Sequence, residues 1–172
     1  MSRRGVLLLI ILTACTSAGG DGDEEMGPVP DLPPEGDVVA EVVHAGTTCA
    51  RSAMGRVRCW GLGPALGTPG ENPLETSNDL SEVPFVELGE PAEQLALSGF
   101  HACAVLESGA LRCWGDANKG VLGLGDPSID SVGQDEHPSA VAAVQIGGAA
   151  QQVAVWREQS CAVREDGAVL CW

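Results

Sequence analysis

Six of the seven cysteines form three pairs, Cys49 with Cys59, Cys103 with Cys113 and Cys161 with Cys171, each with nine residues between partners and a tryptophan directly after the second. Paired thiols can hold a metal, cycle between thiol and disulfide, or form a permanent bridge. Zinc needs about four ligands at short spacing, and none of the three segments offers such a set. The C-x-x-C arrangement of redox catalysts is also absent. An even count in pairs reads as structural disulfides, which persist in exported proteins. Nucleophilic chemistry has little to work with: the chain has three histidines, His44, His101 and His137, and no serine in a G-x-S-x-G elbow. No catalytic residue, metal or cofactor is expected.

The elements that carry the cysteines follow from the residues between them. Each pair brackets a turn, Ala53-Met54-Gly55, Glu107-Ser108-Gly109 or Glu165-Asp166-Gly167, with glycine third every time. A three-residue hairpin loop consists of a type I turn and then one residue in the left-handed region, which glycine enters at no steric cost. The pairing axis then runs through residues 54, 108 and 166. It sets Cys49 opposite Cys59, Cys103 opposite Cys113 and Cys161 opposite Cys171. Alternation makes each a non-hydrogen-bonded pair with Cα atoms about 4.5 Å apart, within disulfide reach.

Composition agrees with strands and turns. Twenty-three glycines, eleven prolines and frequent valine in 172 residues favour an all-β chain. Nine basic against 24 acidic side chains give a net charge of -15, which repels nucleic acid. The acidic stretch 71–93 suits either an interaction loop or a solvated linker.

The hairpins sit in a larger repeat, with first cysteines 54 and 58 residues apart. Ahead of two of them lie matching segments, "PFVELGEPAEQLALSGFHAC" and "SAVAAVQIGGAAQQVAVWREQSC": an apolar strand, a glycine turn and a second strand. Four short strands per repeat make a propeller blade. The middle copy, with Gly99, His101, Cys103, Ala104, Gly109, Cys113, Trp114 and Gly115 followed by "NKGVLGLGD", resembles the repeats of the regulator of chromosome condensation family. The likeness runs over about residues 38–172. It implies a partial, open β-propeller of two to three four-stranded blades. On that reading Trp60, Trp114 and Trp172 pack between neighbouring blades, and His101 is a hydrogen-bonding core residue. Thr47 and Gln159 occupy the places matching His101, so no ring of histidines forms.

The copies amount to two full repeats and part of another. The expectation is a truncated frame or a fragment of a longer protein. Completion of a ring by another chain, and a small independent stack, are the alternatives.

The N-terminus carries Arg3 and Arg4, an apolar run from Val6 to Leu12, and Leu12-Thr13-Ala14-Cys15. That run is shorter than the roughly 20 residues a spanning helix needs. The pattern resembles the signal and lipobox of bacterial lipoproteins. It implies cleavage after residue 14, a lipid (palmitate) on Cys15, and anchorage in the cell envelope. Thr16, in place of a retention aspartate, implies the outer membrane. Residues 15–37, rich in Gly, Pro, Asp and Glu, read as a flexible acidic tether. The functional expectation is a non-enzymatic scaffold binding an unidentified protein partner. The alternatives are a propeller-type hydrolase or lyase, and a fragment without independent function.

Overall fold

A computed structural model describes residues 39–70 and 80–172. The expected signal segment, Cys15 and the tether lie outside the described residues. Ten strands form three antiparallel sheets. The first holds β1 (Val39–Ala45), β2 (Thr47–Ser52) and β3 (Val57–Gly61). The second holds β4 (Ala92–Leu97), β5 (His101–Leu106), β6 (Leu111–Asp116) and the short β7 (Ser131–Val132). The third holds β8 (Ala150–Trp156), β9 (Gln159–Arg164) and β10 (Val169–Cys171). Only the middle sheet reaches the four strands expected of every blade. The described residues contain no α-helix, only four short 3-10 turns.

The hairpins hold the register that their turns impose. Cys49 faces Cys59, Cys103 faces Cys113 and Cys161 faces Cys171. All three pairs are disulfides, with Cα atoms 4.0–4.1 Å apart. The middle turn is closed by Leu106 N–H to Ala110 C=O at 2.9 Å and Gly109 N–H to Leu106 C=O at 2.8 Å, and Gly109 has φ +79°. Gly55 and Gly167 take the same left-handed conformation.

A second recurrent feature was not legible in the sequence. The first strand of each sheet is bulged at one equivalent place, between Val39 and Glu41, Ala92 and Gln94, and Ala150 and Gln152. A bulge turns the strand and re-aims the side chains beyond it. These bulges thus define which residues of the three copies correspond.

The sheets stack in chain order. All six residues of β5 are buried, because sheet neighbours cover both of its faces. Around it lie Trp114, Leu111, Leu122 and Val57. Residues 80–93 depart from the solvated-loop reading. Val83, Val86, Leu88 and Ala92 are buried, and Val86 N–H donates to Val57 C=O at 2.8 Å, extending the first sheet. Val144 N–H does the same to Leu111 C=O in the second sheet.

Candidate functional site

His101 opens β5 with its ring fully buried, and both nitrogens are engaged. Nε2 lies 2.8 Å from Ser160 Oγ and Nδ1 2.9 Å from Ser98 Oγ. The Ser160 hydroxyl donates to Val121 C=O at 2.8 Å. The Ser98 hydroxyl also lies 3.1 Å from the His101 carbonyl, so a neutral ring with Nε2–H donating to Ser160 requires the Ser98 proton to turn to Nδ1 instead of that carbonyl. Burial pulls the imidazole below its ordinary pKa of 6.5, although the Asp116 carboxylate pulls the other way.

A serine beside a histidine is the beginning of a nucleophile–base pair. Here Ser160 is sealed from solvent and spends its proton on a backbone carbonyl. Within the described residues no carboxylate hydrogen-bonds the ring. The cluster is a polar strut that joins the second sheet to the third. Ser98 and Ser160 carried no signal in the sequence, because the matching positions of the other copies hold different residues.

The tryptophans differ from one another. Trp114 is fully buried and its indole Nε1–H donates to Ala65 C=O, 2.9 Å away in the loop after the first sheet. Trp172 repeats the bond to Val121 C=O, also at 2.9 Å, from a half-buried site. Both indoles lie over a left-handed glycine, Gly67 or Gly123. A Cβ there would come within 2.7 Å or 2.6 Å of the indole nitrogen. Trp60 departs from the expected core role: it is half-buried, because no described sheet lies in front of β1–β3.

The same end of each sheet carries an exposed apolar side chain. Leu62 follows Gly61, which pairs with the first residue of β2. Phe100 precedes His101, which pairs with Gly115, and Trp156 pairs with Gln159 at the β8–β9 turn. A groove of about 440 Å³ is lined by residues of the 117–130 segment, Lys119, Leu124 and Asp126 among them. Lys119 also reaches Glu158, in the β8–β9 turn, at 2.6 Å. Apolar side chains held in solvent at the ends of strands are suited to binding another protein. Neither periodicity nor motif marks these three residues. The described residues contain no group of three or more His, Cys, Asp and Glu side chains placed to hold a metal ion.

Stacked antiparallel sheets, hairpins closed by disulfides and an apolar rim at one end define a repeat protein with the architecture of a β-propeller. Residues 93–121 match the family model of the Regulator of chromosome condensation (RCC1) repeat. The ultraviolet-B receptor UVR8 of Arabidopsis thaliana is 33% identical over 159 residues, covering 89% of this chain and 34% of the receptor. Among solved structures, human WBSCR16 superposes with a TM-score of 0.61 at 20% identity, over 78% of this chain and 32% of that one. Yeast RCC1 (Prp20), solved bound to Kap60, superposes with a TM-score of 0.60 at 14% identity and the same coverage. The chain thus spans about a third of the length of these proteins.

Proposed function

We propose that this protein is a non-enzymatic, lipid-anchored scaffold of the cell envelope that binds a protein partner through the rim bearing Leu62, Phe100 and Trp156. The observation that carries the reading is the placement of one exposed apolar residue at the same end of each of three sheets. Large apolar side chains on a fixed frame give a partner contact area with little backbone ordering cost. The yeast relative is itself solved in a complex with another protein.

Export is supported by two independent features. Three disulfides are characteristic of an oxidising compartment, and the first fifteen residues have the order of a lipoprotein leader. A lipid on Cys15 would fix the chain to a membrane, with the outer membrane as the proposed site. The tether would hold the repeats clear of the surface. At a net charge of -15 the partner is a protein rather than nucleic acid or an anionic lipid surface. His101 serves packing in this reading, since its nitrogens are already engaged.

Two measurements test the proposal. Cells expressing the chain with labelled palmitate should show incorporation that is lost in Cys15→Ser; incorporation unaffected by that change would refute the anchor. Affinity capture from envelope extracts should recover a partner that Phe100→Ser with Trp156→Ser loses while circular dichroism stays unchanged. Capture indifferent to those changes would refute the rim.

A further inference from the structure

Each joint between sheets includes a main-chain bond: Ala92 N–H donates to Gly55 C=O at 2.9 Å, and Ala150 N–H donates to Gly109 C=O at 2.8 Å. His101 adds a titratable link to the second joint. The matching places hold Thr47, whose hydroxyl donates to Leu62 C=O at 3.0 Å, and Gln159, so the described copies contain this histidine once. Its two ring nitrogens answer to different parts of the fold. Nε2 meets Ser160 of the third sheet, and Nδ1 meets Ser98 in the turn between β4 and β5. That turn carries Phe100, which is 53% exposed.

The Ser98 oxygen has no acceptor capacity to spare. Oγ accepts the Phe100 N–H at 3.3 Å and the His101 N–H at 3.1 Å. A hydroxyl offers two lone pairs and one proton, so with both lone pairs taken it can only donate toward Nδ1. The neutral ring, bare at Nδ1, suits that arrangement. A charged ring carries a proton on both nitrogens. On the Nε2 side nothing alters, because Ser160 accepts that proton in either state and gives its own to Val121 C=O. On the Nδ1 side three N–H groups now compete for two lone pairs, while the Ser98 proton turns to the His101 C=O. One of the two amides has to let go.

We propose that protonation of His101 opens the 98–100 turn and releases Phe100, while the link from His101 to the third sheet stays closed. Burial opposes the proton, which confines the change to below pH 6.5. Asp116, at the end of β6, is the charged group that favours it. The other charged side chains on the surrounding strands are engaged or exposed. Glu93 on β4 is exposed at the bulge, Arg112 on β6 holds Pro138 C=O, and Arg164 on β9 pairs with Asp166. β8 carries no charge, and in the neighbouring turns Lys119 pairs with Glu158 while Arg157 is exposed. Release of Phe100 would weaken a partner's grip in acid, and this consequence alone rests on the proposed rim.

Nuclear magnetic resonance of the isotope-labelled full chain in mild detergent, from about pH 7.5 down to about pH 4.5, reads ring and turn separately. At the upper end the His101 ring should carry its proton on Nε2 alone, with the Phe100 and His101 amides protected from hydrogen exchange. As the ring takes up its second proton, protection at one of these amides should fall about two- to tenfold, the worth of one hydrogen bond, with the same midpoint as the ring. His101→Gln has no such proton and should show no step. Asp116→Asn keeps an acceptor for the Asn118 amide and should move the ring and amide midpoints together to lower pH. Both amides still protected beside a charged ring would overturn the proposal. So would a step that persists in His101→Gln, or one that parts from the ring in Asp116→Asn. None of these readings involves a partner, so the switch and the rim can fail separately.

Discussion

Trp60, Trp114 and Trp172 follow the second cysteine of their hairpins, and replacing each by phenylalanine in dilute solution should give three different results. Trp114→Phe leaves the Ala65 carbonyl without its donor in a fully buried site, at a cost of about 1–3 kcal/mol. Loss of the larger ring's packing adds about 1–2 kcal/mol. At Trp172 the acceptor, Val121 C=O, keeps the Ser160 hydroxyl, so only the net worth of one hydrogen bond and partial packing is lost, about 1–2 kcal/mol. Trp60 makes no indole bond within the described residues, and its replacement should cost less than about 1 kcal/mol. Urea denaturation followed by far-ultraviolet circular dichroism, without reductant, reads these costs as midpoint shifts at constant slope. The order 114, 172, 60 is the expectation. If Trp60→Phe proves as costly as Trp114→Phe, or Trp172→Phe costs more than Trp114→Phe, the indole-to-carbonyl links are not what hold the sheets together.

Other outcomes follow from the same geometry. Because burial lowers the folded pKa of His101 below 6.5, the unfolded chain takes up a proton that the folded chain refuses. Stability should therefore be complete above about pH 6.5 and fall as the pH descends toward the lowered value; thermal melts of His101→Gln should lack that slope. Gly109→Ala should destabilise by about 2–4 kcal/mol, since a Cβ there has positive φ and would lie 2.6 Å from Ala149 Cβ of the next sheet; the calorimetric loss for Gly167→Ala, with nothing within 4 Å, should be smaller. Tryptic mapping without reduction should find peptides cut at Arg112 still joined through Cys103 and Cys113. Removing that pair should cost about 2.5–3 kcal/mol for its short loop in chemical denaturation.

The hairpins were legible because their information is local. A glycine at the third loop place and a spacing of nine residues between cysteines leave one register, and the pairing of Cys103 with Cys113 follows from both. The order of sheets and the all-β class followed from repetition. The environments were less legible. Val57, Leu111 and Val169 occupy one place in three similar strings, yet two are buried and one faces solvent. That outcome depends on what lies beyond the sheet. The same holds for Trp60 against Trp114, and for residues 80–93, whose acidic neighbours concealed an apolar edge packed on β3. Ser98, Ser160 and the rim residues are single occurrences without a repeat to announce them. A proton network or a surface patch made of singletons becomes visible only when the chain is folded.

The bonds from Ala92 to Gly55 and from Ala150 to Gly109 run from one main chain to another, so each junction between sheets depends on backbone shape more than on side-chain identity. Chains built this way can drift far apart in residue content while each module still fits the next, in keeping with 14–20% identity to proteins that share the architecture. Gene duplication benefits in the same way: a copied segment that starts at one bulge and stops at the next arrives with both halves of a working joint, so arrays of this kind can lengthen or shorten without inventing a new interface.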